Sequence, residues 1–263
     1  MEVLKKIIRL SLIAVFFLAA AAVGNITMAF FSYDVDELKK ENPGKSAFMH
    51  YREYDWEVKK LKEKKVVQSW VPLAKISPAA VKAVLIAGSG RFHDREDVDL
   101  ESVQKALEQD VKTGRSKQSV RAISRQIART FFLSPVKSIF RTVKERILAW
   151  RIENAFSRRR ILELYLNLAE WGDGIFGIEA ASRHYYNKSA SELTSQEAAR
   201  LAVVLPDPLR YKPTDASPYV EKRAGIVYDI LEKRGIVVEA YEEIMKAPAD
   251  GPTLSSEISR PSQ

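Results

Sequence analysis

The sequence predicts a mainly α-helical protein with a single transmembrane helix at its N-terminus. Apolar residues recur at helical spacing along most of the chain, and residues that favour helix starts and ends separate these segments. No segment shows a convincing apolar–polar alternation typical of a strand. An uncharged run from Leu10 to Tyr33 follows Lys5, Lys6 and Arg9. Together these observations favour one helical domain behind a membrane anchor.

The uncharged run is long enough for that anchor. Residues 10–31 form a stretch of 22 residues, which at ~1.5 Å per residue spans a hydrocarbon core of ~30 Å. A buried core helix is one alternative, but basic residues precede the run and polar residues follow it. A signal peptide cleaved near Ala20 is the other. Because the run continues to Phe31, longer than a signal peptide needs, we expect an uncleaved anchor over residues 1–33.

Charge and composition restrict the partners. Basic residues that flank a membrane helix stay in the cytoplasm, so we expect the chain after Asp34 to lie outside. The net charge of +8, from 42 Lys and Arg against 34 Asp and Glu, indicates an anionic partner. The outward placement argues against nucleic acid and leaves an acidic membrane surface or a phosphorylated substrate. The absence of cysteine excludes disulfides and thiolate metal sites, and the three widely separated histidines predict no metal cluster.

Beyond the anchor we expect three regions. They are a polar juxtamembrane segment over residues 34–67, a folded domain over 68–246 and a disordered tail over 247–263. Most helices of the domain have a start signal. In chain order these signals are Ser77-Pro78, Asp99 before a helix closed by Gly114, Ser157, Thr194 with Glu197, and Ser217-Pro218 before a helix closed by Gly235. Residues 122–132 and 138–156 predict two more helices, the second with helical spacing of Ile139, Val143, Ile147, Leu148 and Ile152.

A row of basic residues lies in the middle of the domain. Lys117, Arg121, Arg125 and Arg129 follow one another at i, i+4 steps and share one face if the segment is helical. Such a face is either solvated, in contact with anionic lipid headgroups, or a clamp in which guanidinium groups bind phosphate or pyrophosphate. Glu145 follows Arg141 by one helical turn, either as a neutralising charge or as a carboxylate beside a bound pyrophosphate.

The segment 159–213 resembles the monofunctional biosynthetic peptidoglycan transglycosylases of glycosyltransferase family 51. Its ILELYLN, AEWGDGIFGIEAA and LP-x-P-x-x-Y/F stretches are similar to that family's motifs. The similarity extends back to the segment near Trp70 and forward to about Arg234. The resemblance implies a lysozyme-like helical domain on the outer (periplasmic) side of the bacterial cytoplasmic membrane, anchored by a single pass.

The resemblance also implies an activity and partners. Such enzymes polymerise lipid II by passing the growing glycan from undecaprenyl pyrophosphate to the 4-hydroxyl of the next disaccharide. The implied partners are lipid II, the nascent glycan strand, membrane lipids and other cell-wall synthesis proteins. No cofactor is implied with certainty, although a divalent metal, Mg or Mn, is compatible with the family.

Several site residues of the family have counterparts in this chain. The second carboxylate, in the R-K-x-x-E motif, falls on Glu145, with Arg141 as its arginine. The glutamine and lysine that face the substrate fall on Gln126 and Arg129. Phe92 matches the phenylalanine of E-D-x-x-F. The resemblance therefore implies that Gln126, Arg129 and Arg141 bind the substrate pyrophosphate and that Glu145 is the retained catalytic carboxylate.

The first motif departs from the family. Its glutamate, the family's general base, and its aspartate are replaced by Gly88 and Ser89. The remaining departures are Arg95, Asp97, Val120, Arg121, Ala122, Arg125 and Thr142. Loss of a general base lowers the rate by about 10²–10⁴-fold, so we expect weak or absent catalysis.

Three interpretations remain open. The chain is a polymerase with an impaired base, a non-catalytic scaffold that binds lipid II or a glycan strand, or an anchored interaction domain without a ligand. Replacement of the base by Asp94, Glu96 or Asp97 is an alternative within the first interpretation, although these residues read more simply as ordinary loop acids.

Overall fold

A computed structural model describes residues 2–88, 101, 116–136, 140–233 and 239–246. The helices are α1 (Glu2–Ser32), α2 (Glu37–Lys40), α3 (Ala47–Val58), α4 (Pro78–Ala87), α5 (Ser116–Ile127), α6 (Arg141–Ala155), α7 (Arg158–Leu168), α8 (Ile178–Tyr186), α9 (Ser195–Val204), α10 (Pro218–Tyr228) and α11 (Glu239–Lys246). The strands are β1 (Val67–Gln68), β2 (Glu170–Gly172) and β3 (Ile175–Phe176). The predicted mainly helical class is therefore confirmed.

Some predicted positions lie outside the described residues. They are Ser89, Phe92, Asp94, Arg95, Glu96, Asp97, Asp99, Gly114, Ile139, Gly235 and the tail 247–263.

The start signals in the sequence mark the helices well. The Ser157 hydroxyl accepts a hydrogen bond from a backbone N–H in the first turn of α7, and Thr194 and Glu197 form a reciprocal capping box on α9. Proline occupies the first position of α4 and of α10. Ser77 differs from the expectation, because its hydroxyl donates to the carbonyl of Leu193 at 2.8 Å instead of capping α4.

The core forms around α4. This helix is apolar on nearly all sides, as expected of a fully buried helix, and it packs against α9 and, through a smaller contact, α10. The segment predicted as juxtamembrane also contributes to this core, since Val35 and Leu38 are buried within it. Trp56 at the end of α3 is buried as well. The helices before β1 are thus packed on the domain.

The sequence shows no recognisable strand, but the structure contains a small sheet, so the expectation of a domain without strands is wrong. A three-stranded sheet has the order β1-β3-β2, with β1 parallel and β2 antiparallel to β3. Its strands have two or three residues each, too few to produce a recognisable alternation. Gly177 leaves β3 with φ of 85°, and a Cβ there would lie 3.0 Å from the carbonyl oxygens of Asn167 and Ser69. Only glycine fits this turn without strain.

The N-terminal run is helical. Helix α1 covers the segment for which the sequence predicts an anchor. In the described part of the chain, no helix meets both the length and the apolar content needed to cross a membrane.

The apolar residues of α6 do not share one buried face. Leu148 and Ile152 are buried, whereas Val143 is 39% exposed and Ile147 is half-buried. Approximate helical spacing therefore identified the helix correctly but included residues from its outer side.

Candidate active site

The candidate site is built on two packed helices, α5 and α6, joined through a π-helical turn over Ala128–Phe132. Ile123 and Ile127 on α5 are buried in the core, which leaves Arg121, Arg125 and Arg129 on the exposed side. The predicted basic stripe is therefore present for these three arginines. π-helical turns occur frequently at functional sites because they change the direction of side chains along a helix.

Arg129 and Glu145 form the closest charged pair of this site. The Arg129 Nε donates to Glu145 Oε2 at 3.1 Å, and Nη2 donates to Oε1 at 3.1 Å. The Glu145 side chain is 11% exposed and the Arg129 side chain 46% exposed. The two parallel bonds are the bidentate arrangement that fixes a carboxylate most firmly. Glu145 is therefore a buried carboxylate held in one orientation by Arg129, at the position where the resemblance implies a lysine.

A second ion pair joins the same helices. Arg121 Nε lies 3.7 Å from Glu153 Oε2. Arg121 precedes Arg129 by eight positions and Glu153 follows Glu145 by eight, which is the register of two antiparallel helices. Burial raises the pKa of Glu153, while the positive charges of Arg121 and Arg125 act to lower it. The sequence reasoning missed Glu153, although its spacing from Glu145 matches the spacing of the arginines.

Gln126 lies at the end of α5 and is half-buried. Its backbone carbonyl accepts a hydrogen bond from the Thr130 hydroxyl at 2.9 Å. Hydroxyl groups that bond back in this way modify the local helix geometry, here inside the π-helical turn. Gln126 and Arg129 are therefore held on either side of the start of this turn.

Arg141 begins α6 with its positive charge at the positive end of the helix dipole, an unfavourable position unless an anion is nearby. One guanidinium nitrogen, Nη1, donates to the carbonyl of Pro135 at 3.0 Å. The Nε atom is shielded from solvent and makes no hydrogen bond to any residue in the described ranges. Arg141 thus retains donor capacity at the helix end that precedes Glu145.

Gly88 ends α4, and its N–H donates to the carbonyl of Val84 at 2.8 Å. A Cβ at this position would lie 2.9 Å from the same carbonyl oxygen. The position has no side chain that could accept a proton, and any replacement requires a small shift at the end of α4. Residues 89–100 lie outside the described ranges. Replacement of the general base by Asp94, Glu96 or Asp97 therefore stays a prediction.

The most specific motif of the resemblance has a structural role here. The buried Asn167 side chain accepts from the Val71 N–H at 2.8 Å and donates to the Val71 carbonyl and the Glu163 carbonyl, each at 2.9 Å. Glu163 Oε2 accepts from the Leu73 N–H at 2.8 Å. The ILELYLN helix therefore holds the segment after β1 in place.

No metal centre is evident in the described ranges. They contain no group of three or more His, Asp or Glu side chains close enough to hold a metal ion.

Comparison with known proteins identifies the family. A family model described as transglycosylase matches residues 56–232, which is more than half of the chain. The chain belongs to the transglycosylase family. The matched range includes Gly88, Gln126, Arg129, Arg141 and Glu145.

Individual relatives agree with this assignment. A biosynthetic peptidoglycan transglycosylase of Dechloromonas aromatica is 41% identical over 186 residues, covering 71% of this chain and 80% of the relative. Proteins of the same name from Aromatoleum aromaticum and Azoarcus sp. are 44% and 43% identical, covering 65% and 66% of this chain and 74% and 75% of the relatives. The resemblance seen in the sequence to this transglycosylase family is confirmed.

Proposed function

We propose that this transglycosylase-family protein binds lipid II in glycan-strand polymerisation for cell-wall synthesis, and that its own polymerising activity is weak or absent. Membership of the family and the relatives named biosynthetic peptidoglycan transglycosylases support the substrate class. The observation that carries the loss of activity is the glycine at position 88, where the resemblance implies the general base.

Glycosyl transfer to a hydroxyl group needs a base. The acceptor 4-hydroxyl must lose a proton while the bond to the pyrophosphate breaks. Gly88 offers no group for this proton. Glu145 is the retained carboxylate, but both of its oxygen atoms already accept hydrogen bonds from Arg129. Arg129 already holds both oxygens in place, so Glu145 is poorly placed to take the acceptor proton and is a poor substitute.

Binding of the pyrophosphate group is supported by the same residues. Guanidinium groups bind phosphate oxygens with two parallel hydrogen bonds, and the Arg141 side chain is only half-buried at the start of α6. The start of α6 adds the positive end of its dipole. Arg129 is nearly half exposed despite its pair with Glu145. The site therefore suits a lipid-linked pyrophosphate better than it suits transfer chemistry.

The location belongs to the proposal. Lys5, Lys6 and Arg9 precede an uncharged run of 22 residues within α1, which supports a single-pass anchor in the cytoplasmic membrane with the domain on its outer side. That placement brings the site to the surface from which lipid II is supplied.

A non-catalytic scaffold is the second candidate. Arg121 and Arg125 replace residues of the family's second motif, and both are exposed next to Arg129. Three arginines along α5 and the turn that follows it would help to retain an anionic ligand. The scaffold would present bound lipid II or a glycan strand to other cell-wall synthesis proteins.

Polymerisation of labelled lipid II in detergent tests the proposal. The proteins compared are the wild type, Glu145→Gln, and the double variant Gly88→Glu with Ser89→Asp. Gly88→Ala is the matched control, because it introduces the Cβ that lies 2.9 Å from Val84 O without a carboxylate. We expect the wild type to polymerise weakly or not at all, the double variant to gain about 10²-fold or more, and Gly88→Ala to gain nothing.

Rapid polymerisation by the wild type that Glu145→Gln stops would show the proposal of weak catalysis to be wrong. If none of the proteins polymerises lipid II but lipid II still binds, the scaffold is favoured. If none polymerises or binds lipid II, both candidates are contradicted.

A further inference from the structure

A cavity opens beside the loop that joins α3 to β1. It encloses about 490 Å³ and is lined by the second half of α3 and by the loop itself. The apolar side chains of its lining are Trp56, Leu61 and Val66. The charged ones are Glu53, Glu57, Lys60, Lys62, Lys64 and Lys65. These nine residues form the lysine groove.

The end of α3 gives the lysine groove its shape. The Leu61 N–H donates to the Trp56 carbonyl at 2.8 Å, and the Lys60 N–H donates to the Glu57 carbonyl at 3.0 Å. These two bonds form a Schellman motif, which ends a helix through one left-handed residue and brings apolar residues on either side of it together. The motif accounts for the presence of Leu61 and Trp56 in the same cavity.

The left-handed residue of this motif is Lys60, with φ of 57°. Glycine adopts this conformation without strain and is the usual residue at this position. A lysine here stores strain while it places a cation on the edge of the groove, and residues held in this way cluster at functional sites. Because glycine suits the turn better, the charge of Lys60 can be removed without a loss of stability.

Most cations of the lysine groove are unpaired. Lys60, Lys62 and Lys65 have exposed side chains and form no ion pair with any residue in the described ranges. Lys64 differs, because it pairs with Asp173 in the turn between β2 and β3. Unpaired cations around an apolar cavity are complementary to carboxylates that flank an apolar side chain.

Exposed apolar side chains continue the groove along α3 and β1. Tyr54 and Val58 lie one turn apart on α3 and are 63% and 62% exposed. Val67, at the start of β1, is 54% exposed, and Leu61 inside the groove is 41% exposed. Large apolar side chains that are exposed together over so short a segment indicate an interaction surface.

We propose that the lysine groove binds an acidic peptide segment of another protein, with one large apolar side chain in the cavity and flanking carboxylates on Lys60, Lys62 and Lys65. In such interfaces an apolar anchor in a pocket contributes much of the affinity, and the surrounding charges add specificity and faster association. The groove is formed by α3 and its loop, whereas the candidate site is formed by α5 and α6. The proposal therefore does not depend on whether this chain polymerises lipid II.

Other occupants fit the lysine groove less well. A second copy of the chain that presented the same surface would place lysines opposite lysines. An anionic bilayer is too flat to fill a concave cavity, and Glu53 and Glu57 in the lining would repel it. These glutamates lie on α3 and three of the lysines lie on the loop. A peptide whose carboxylates face the loop avoids this repulsion.

Selection from a random heptapeptide library displayed on phage tests the proposal. The wild-type full chain in detergent should enrich peptides with at least two Asp or Glu residues around one large apolar residue. An enriched peptide is then synthesised with a fluorescein label, and its affinity is measured by anisotropy. Each exposed ion pair that is removed should weaken binding roughly threefold. Lys60→Gly should therefore bind ~3-fold more weakly, and the triple variant Lys60→Gly, Lys62→Gln, Lys65→Gln ~30-fold more weakly.

Two controls separate the groove from net charge and from misfolding. Lys222 is an exposed cation on α10, and Lys222→Gln should leave the affinity for the peptide unchanged. Lys60→Gly should unfold at the same temperature as the wild type or a higher one, since glycine favours the left-handed turn. Failure to enrich acidic peptides, or equal binding to the wild type and the triple variant, would overturn the proposal. Equal weakening by Lys222→Gln and Lys60→Gly would overturn it as well.

A dye at the groove distinguishes a peptide from lipid. Because the chain has no cysteine, Val58→Cys provides a single thiol for an environment-sensitive dye next to the groove. We expect its emission to shift to the blue when the selected peptide is added and to stay unchanged on reconstitution in phosphatidylglycerol vesicles. A blue shift in these vesicles without peptide would assign the surface to the membrane and refute the proposal. No shift with the peptide would place its binding elsewhere, which also refutes it.

Discussion

Replacing Asn167 by alanine should destabilise the domain strongly. The Asn167 side chain is fully buried and satisfies both the N–H and the carbonyl of Val71, at 2.8 and 2.9 Å. In the alanine variant these two backbone groups lose their partner inside the protein. Each buried group left without a hydrogen bond costs about 1–3 kcal/mol. We therefore expect Asn167→Ala to lower the free energy of unfolding by roughly 3 kcal/mol, within a range of about 2–6.

Urea unfolding in detergent, followed by tryptophan emission, measures this change. For a protein of this size, 3 kcal/mol corresponds to a fall in Tm of roughly 6–12 °C. Asn154→Ala is the control, because Asn154 is exposed and, within the described ranges, its side chain bonds only the Trp150 carbonyl four residues earlier. We expect that variant to differ from the wild type by less than about 0.5 kcal/mol. If the two alanine variants were equally stable, the argument that Asn167 joins α7 to the segment after β1 would be refuted.

Two further substitutions and one pH dependence follow from local geometry. Tyr186→Phe should leave the free energy of unfolding unchanged or raise it by about 1 kcal/mol, because the hydroxyl is buried and bonds no residue in the described part of the chain. Thermal unfolding of the two proteins measures this difference. Burial raises the pKa of Tyr186 to about 12, above the unfolded value of 10, so the wild type should lose stability as pH rises from 10 to 12, and the phenylalanine variant should lose less. Equal alkaline losses would contradict this. Gly177→Ala should destabilise by about 1–3 kcal/mol, since φ is 85° and two carbonyl oxygens lie 3.0 Å from the new Cβ. An unchanged urea midpoint would show that the turn relaxes freely.

The site was predicted from the sequence in part. Spacing placed Arg121, Arg125 and Arg129 on one face of a helix, and the structure has them there. Spacing did not predict that Arg129 would bind both oxygens of Glu145, because that contact depends on how α5 and α6 pack. Glu153 was missed for the same reason: its partner is on the other helix.

The fold shows the same division. Helix starts depend on residues within one turn, through capping hydrogen bonds at Ser157 and Thr194 and through proline at the first position after Ser217, so the sequence alone determined these three starts. It also determined that position 88 has no proton acceptor, since glycine lacks a side chain in any fold. Only the tertiary structure decided that the polar segment before β1 packs on the core, and that short strands form a sheet. It also decided that Trp150 faces outward while Leu148 faces inward. These outcomes depend on contacts between residues distant in the chain, which local patterns do not specify.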